Sequence, residues 1–223
     1  MKPKPWSATT LEDFVTCPRA YHAKKVAKTH VEVRGEATVW GEVVHKWFED
    51  RVNFNTPLPV EVSEHEKFIA DLIARPGHIF AEQEIALNTK ALPCGFWDKN
   101  VWFRGKIDVL NINGDDALVT DYKTGKPHNK FQQLMMFAIH TFALHPDVMT
   151  VTAQYYWTKT LTTTSQTYHR HQIHKLWDVF VPSLKQWVEA FRLDVWQPRP
   201  SGLCNGWCPV TDCEHWKPKR ERR

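Results

Sequence analysis

Two short runs, GKIDVL and LVTDYKTGK, place Asp108, Asp121 and Lys123 on what read as neighbouring β-strands, followed at once by the paired glutamines of FQQLMMF. Residues 101–112 and 117–124 are rich in β-branched and apolar residues and are joined by the turn sequence Asn113-Gly114-Asp115-Asp116, which predicts a hairpin. If those four residues form the connection, Leu110 faces Val119 and Asp108 faces Asp121. A two-residue connection at Asn113-Gly114 would leave the two acids diagonal. Either register keeps them on one face, because strand side chains alternate with period two. Lys106 and Lys123 are expected on the same face. Two carboxylates opposed on a half-buried hairpin repel each other, and burying them unpaired costs several kcal/mol. An oxygen-ligated divalent cation, magnesium or manganese, resolves both problems. So does a surface ion-pair patch with the two lysines. These residues alone leave both readings open.

A second group with chemistry of its own sits at the two chain ends. Cys204, Cys208 and Cys213 lie within ten residues of one another, and Cys17 lies almost a whole chain away. Thiolates so grouped bind zinc or an iron–sulfur cluster. Cys94, in the turn LPCGFW, has no neighbour of its kind and reads as an ordinary free thiol.

The elements that must position these residues follow from periodicity and breakers. Residues 7–28 read as helical, capped at Ser7, Thr9 or Thr10 and interrupted at Pro18. A second helix fits 38–54, where Trp40, Val44, Trp47 and Phe48 recur at helical spacing, and a third fits 61–75. Short β-prone runs then occupy 80–91, 101–112 and 117–125. An amphipathic helix at 129–145, two strands in 148–173 and a helix at 174–194, expected to kink at Pro182, complete the pattern. Helices, then a mixed sheet with a helix within it, then a helix, predict an α/β architecture and not a bundle or a barrel. No internal repeat is present.

The chain has 223 residues, enough for one substantial core, and 42% hydrophobic residues, which argues against wholesale disorder. The net charge is only +4, but basic residues crowd MKPKP at the start and KPKRERR at the end, which suits a polyanion or simply two solvated tails. No apolar run approaches the about 20 residues of a membrane span, and the start lacks a signal-like apolar segment. A cytoplasmic protein without membrane contact is therefore expected. Five cysteines in a reducing compartment argue against a disulfide framework. Most of the eleven tryptophans are expected in packing, and some on unpaired bases.

GKIDVL followed by LVTDYKTGK resembles the core of the PD-(D/E)XK nuclease superfamily, and within it the RecB-like branch that includes CRISPR-associated exonucleases, AddAB-type subunits and phage exonucleases. An Asp on one strand, Asp-x-Lys on the next, and a helix opening with Gln and carrying an aromatic four residues later are matched by Asp108, Asp121, Lys123, Gln133 and Phe137, with Phe where Tyr is commoner. GEVVH resembles that family's Gly-x-x-x-His. The resemblance implies a restriction-endonuclease-like fold: a mixed central sheet flanked by helices, with an N-terminal helical part at 1–78, a core at 79–195, a Cys-rich segment at 196–216 and a basic tail at 217–223, all in one nuclease domain. It implies Mg2+ or Mn2+ held by His45, Asp108, Asp121 and the carbonyl of Tyr122. Lys123 would orient water and offset charge on the scissile phosphate, with Gln133 steadying the site and Glu84 in support.

CPRAY around Cys17 is similar to the start of the iron–sulfur subset of that branch. This implies a 4Fe–4S cluster on Cys17, Cys204, Cys208 and Cys213. The C-terminal gaps each differ by one residue from the family's, which keeps Zn2+ as the alternative. The implied activity is exonucleolytic hydrolysis of DNA, single-stranded or end-containing, in replication, recombination, repair or phage DNA metabolism. Arg19, Lys24, Lys25, Arg104 and Lys126 are placed to follow backbone phosphates. A second copy of the chain or a helicase or recombination subunit is a conceivable partner. Two other readings stand beside it: a non-catalytic DNA- or partner-binding module on the same fold, and a zinc-stapled structural domain. Residues 141–195 carry no motif of the family.

Overall fold

The structure is a computed structural model that describes residues 3–31 and 35–219. Met1 and Lys2 of the basic start, and Arg220 to Arg223 of the basic tail, lie outside the described residues. The chain forms two compact units, Gly35–Val179 and Met1–Arg34 with Phe180–Arg223.

The larger unit holds a five-stranded sheet in the order β1-β2-β3-β4-β5. Its strands are β1 His78–Asn88, β2 Val101–Asn113, β3 Asp116–Lys123, β4 Thr150–Trp157 and β5 Thr162–His169. All neighbours are antiparallel except β3 and β4, which run parallel. A parallel pair needs a crossover, and the helix α5, Gln132–Leu144, supplies it. Two further helices, α3 (Glu36–Phe54) and α4 (Glu66–Ile73), bury Val44, Phe48, Ile69 and Leu72 against Val109, Leu118, Tyr122 and Tyr156 of the sheet. On α5, Phe137 meets Gly105, and His140 lies 3.7 Å from Phe103 between ring centroids. The mixed sheet flanked by helices is the architecture the sequence predicts.

The β2–β3 register is the one expected for the four-residue connection. Leu110 pairs with Val119 and Asn111 with Leu118, and the ladder closes at Asn113 and Asp116 around Gly114, whose φ of +61° suits the tight turn. One step past the last rung, Val109 with Thr120, Asp108 stands level with Asp121.

The β1–β2 ladder is regular from Gln83–Ile107 to Leu87–Phe103 but has no rung at Glu82 and Asp108. Glu82 adopts φ +52°, a left-handed conformation that is costly for a residue with a side chain. That break in the pleat falls at the hairpin acids.

The other unit begins with α1, Ala8–Thr16, capped by reciprocal hydrogen bonds between Ser7 and Thr10. It stops at Cys17 because the residue before a proline is driven to extended backbone, here φ −162° and ψ 108°. Pro18 opens the short helix α2, Pro18–Tyr21, and a π-helical turn follows at His22–Val26. The last helix, α6 (Ile173–Leu193), runs continuously through Pro182. Trp6, Phe14, Tyr21, Trp187 and Phe191 are all buried here and form an aromatic core. No helix among the described residues is long and apolar enough to cross a membrane.

Candidate active site

The hairpin acids, Lys123 and Gln133 come together where β2 and β3 meet the start of α5, but they divide into two groups. Asp121 is fully buried with Lys123 Nζ 2.5 Å from its Oδ2. Gln133 bridges the pair. Its Nε2 donates to Asp121 Oδ1 at 3.0 Å, and its Oε1 accepts from Lys123 Nζ at 2.9 Å. Lys123 also lies 5.2 Å from the centroid of the Tyr155 ring. Although the ammonium is close, Asp121 Oδ2 accepts no directional hydrogen bond. Burial pushes the Asp121 carboxyl up to about 7 and the charge of Asp108 adds to it, against the lowering by Lys123 and His45.

The second group is His45, Glu82 and Asp108, whose ligand atoms lie within 4.8 Å of one another. They line an open cavity of about 500 Å³ with Gly41, Glu42, Lys46 and Thr124. His45 reaches it because Gly41, one helical turn earlier, lets α3 approach the end of β3. A Cβ at Gly41 would stand 3.1 Å from Thr124 Oγ1. The His45 Nε2–H donates to the Tyr122 carbonyl at 3.1 Å, leaving Nδ1 3.4 Å from Asp108 Oδ1. The backbone N–H of Tyr122 donates to Asp108 Oδ2 at 2.6 Å, which orients the carboxylate.

Burial opposes a charge on His45, but the hydrogen bond and charge of Asp108, with Asp121 and Glu82, outweigh it and raise the imidazole. Burial likewise raises Glu82, against a 2.6 Å ion pair to Lys106. A proton on His45 thus does for the three groups what a divalent cation would do. The donor set, one imidazole and two carboxylates beside a carbonyl, fits magnesium or manganese.

Within the smaller unit, Cys17, Cys204, Cys208 and Cys213 line one cavity with Arg19, Pro198, Arg199, Val210 and Trp216. Burial raises the Cys208 thiol, and the other three cysteines raise it further by their charge. Two thiols accept backbone hydrogen bonds, Cys17 Sγ from the Arg199 N–H at 3.4 Å and Cys204 Sγ from the Ser201 N–H at 3.5 Å. Among the described residues no three thiols approach within 4.8 Å of one another. Cys94 stands apart in the β1–β2 connection, its N–H donating to the Ala86 carbonyl.

Comparison with known families decides what this arrangement belongs to. The profile of the PD-(D/E)XK nuclease superfamily matches residues 5–76 and 66–213. The chain belongs to the PD-(D/E)XK nuclease superfamily. A search of curated proteins gives no match. Among solved structures, a candidate exonuclease from Eubacterium rectale is 10% identical. Its match covers 98% of this chain and 90% of that one, with a TM-score of 0.53, a likeness of fold. The protein designated SSO0001 is 15% identical over 96% of this chain and 88% of that one, with a TM-score of 0.47.

In this nuclease the residues nominated from sequence are brought together with three differences. Glu84 is exposed opposite Lys106, and Glu82, two residues earlier, takes the place in the cavity. Lys106 is paired to Glu82 and not to the hairpin aspartates. The Asp121 carboxylate is turned to Lys123 and Gln133, outside the group of His45, Glu82 and Asp108. Of the cations nominated for phosphates, Lys126 is exposed in the loop before α5, while Lys24 and Lys25 are both near Asp13 and Arg19 is near Glu214. Arg104 lies over the rings of Phe96 and Trp97. No sequence signal separates Glu82 from Glu84, because residues two apart share a strand face. The left-handed backbone at Glu82 is what singles it out.

Proposed function

We propose that this protein is a Mg2+- or Mn2+-dependent deoxyribonuclease acting as an exonuclease, with its reacting centre at the cavity of His45, Glu82 and Asp108. The observation that carries the reading is the conjunction of that cluster with the buried Asp121, whose carboxylate is paired with Lys123 and Gln133 on the neighbouring strand and helix. His45, Glu82, Asp108 and Asp121 would hold the metal, with the Tyr122 carbonyl in reach. When bound, the metal polarises a phosphate oxygen and lowers the pKa of water.

The protein groups do the rest. Lys123 supplies positive charge where the phosphate gains negative charge, and Gln133 fixes it by accepting from Nζ while donating to Asp121. Gln133 thereby fixes the contacting ammonium and carboxylate in one orientation. The Tyr122 N–H holds the Asp108 carboxylate in one orientation, so the site is preorganised before substrate arrives. His45 must give up a proton to ligate, so metal binding weakens as pH falls.

We further infer that Cys17, Cys204, Cys208 and Cys213 hold one 4Fe–4S cluster that ties the Cys-rich segment to the N-terminal helices of the same unit. One feature supports a cluster over Zn2+. A single zinc at about 2.3 Å from each sulfur would draw four thiolates closer together than these thiols stand. The cluster would stabilise the unit and take no part in hydrolysis.

The test of the nuclease reading is digestion of linear and covalently closed circular DNA of one sequence with Mg2+, with Mn2+ and with chelator. Loss of the linear form alone, only with metal, is expected. Cleavage of the circle would make the enzyme an endonuclease, and no loss of either would leave a binding module on a nuclease fold.

A further inference from the structure

The connection between β1 and β2 carries the sequence LPCGFW, and its Trp97 is 77% exposed. An indole so displayed is unusual, and this one sits on a fixed loop. Asn88 Oδ1 accepts from the N–H groups of Lys90 and Leu92. The Cys94 N–H donates to Ala86, and the Gly95 N–H donates to Asp98 Oδ2 at 2.8 Å. A Cβ at Gly95 would come within 2.7 Å of Asp98 Oδ1, so Gly95 lets that carboxylate close over the turn. Beneath the loop the Arg104 guanidinium lies 5.2 Å from the Phe96 centroid and 5.0 Å from that of Trp97, with the two rings edge to face. Among the described residues Arg104 has no carboxylate partner. The result is an aromatic surface held against one cation, Arg104, and open to solvent at Trp97.

Its position gives it a direction. Arg104 and Lys106 lie two residues apart in the regular part of the β1–β2 ladder, so they share a strand face about 7 Å apart. Lys106 Nζ touches Glu82, which lines the reacting cavity. A line of side chains therefore runs from Trp97 through Arg104 and Lys106 to the cavity.

We propose that Trp97, held by Arg104 and Phe96, is a base-stacking site that binds an unpaired nucleotide of the DNA substrate and selects strands with single-stranded ends. Every base offers a face to an indole, so stacking of this kind is sequence-tolerant. A duplex keeps its bases stacked on each other and has none to offer except at a frayed end. Arg104 keeps the indole in one orientation and leaves donors for the adjacent phosphate. A protein partner would also be served by an exposed tryptophan, but the Arg104 guanidinium at this one, with no carboxylate partner among the described residues, suits a polyanion. The inference rests on the nuclease reading only for the identity of the substrate.

The experiment is fluorescence anisotropy of a labelled oligonucleotide, single-stranded or as a blunt duplex, with chelator so that nothing is cleaved. Parent protein, Trp97→Ala and Trp97→Phe are compared, and each is melted to show an unchanged fold. Trp97→Ala is expected to weaken single-strand binding at least about fivefold, with Trp97→Phe restoring most of it. Blunt-duplex binding should be unchanged. In Mg2+, Trp97→Ala should raise the KM for DNA with a single-stranded end and leave kcat alone.

Single-strand binding equal to the parent's, or an equal loss on both forms of DNA, would overturn the proposal. So would a parent dimer that Trp97→Ala makes monomeric without any change in DNA binding, since that surface would then be a protein contact. If the parent hydrolyses no DNA yet loses single-strand affinity on this substitution, the nuclease reading fails and the stacking site stands.

Discussion

Glu82 and Glu84 show how much a single residue's backbone decides. Both are acids on one strand, and both would pass as a metal ligand by type. Glu82 stands in a left-handed conformation, which costs a residue with a side chain about 1–2 kcal/mol, at the point where the β1–β2 ladder lacks a rung. Strain of that kind persists only where its surroundings hold it, and here it brings the carboxylate to His45 and Asp108. Glu82→Gln is expected to weaken Mn2+ binding by on the order of 10-fold or more, the scale at which metal sites respond to such losses, whereas Glu84→Gln should match the parent. Isothermal titration calorimetry checks both, and equal weakening in the two variants would contradict the assignment. Asp108, Asp121 and Lys123 were legible in the sequence, since turn chemistry and period two set the hairpin register, whereas Gln133 and His45 were nominated only by the family resemblance. Glu82 was not, since nothing in FAEQEIAL announces a positive φ.

At the scale of elements, α5 is both a crossover and a support for the site. It opens with Gln133 on Asp121 and Lys123, and one face carries His140 into the core. The His140 Nδ1–H donates to the Met136 carbonyl at 2.7 Å, so Nε2 is left bare and buried. Burial lowers this imidazole to about 3, opposed by the Met136 hydrogen bond. The unfolded value is near 6.5, so the folded group is depressed. The protein then has full stability from this group above about pH 6.5 and loses it as pH falls toward 3, on the order of 5 kcal/mol in all. His140→Phe, which keeps a ring against Phe103, should flatten that part of the acid-unfolding curve in urea titrations at pH 7 and pH 4. An unchanged pH dependence would mean that other groups drive acid unfolding. The elements themselves were largely readable, from the helix at 38–54 to the break at Pro18. The left-handed Glu82 was not, because it sits where the ladder to β2 loses a rung, and the LPCGFW loop was not, because its support comes from Arg104 on the following strand. A tryptophan within an apolar run reads equally well as core.

For the whole molecule, the two chain ends meet in one unit whose Cys-rich segment has few buried apolar residues. Cys17 was marked in sequence by CPRAY and the other three by their grouping. That they line one cavity is a matter of folding, since nothing local joins residues so far apart. Cys208→Ser is expected to lose iron and melt several degrees earlier, as when other structural metal sites are broken. Cys94→Ser should keep both. Iron content and melting temperature measured side by side check this, and zinc in anaerobically purified parent protein would replace the cluster with a zinc site.

The nuclease centre does not depend on that result, and one comparison tests it most directly. Lys123→Ala and the parent are assayed on end-labelled DNA in Mn2+, with ion binding measured on the same samples. Because Lys123 offsets developing phosphate charge, its loss should cut the hydrolysis rate by about 100-fold or more while Mn2+ still binds and the fold is kept. A Lys123→Ala protein that binds Mn2+ and cleaves DNA at the parent's rate would contradict the account.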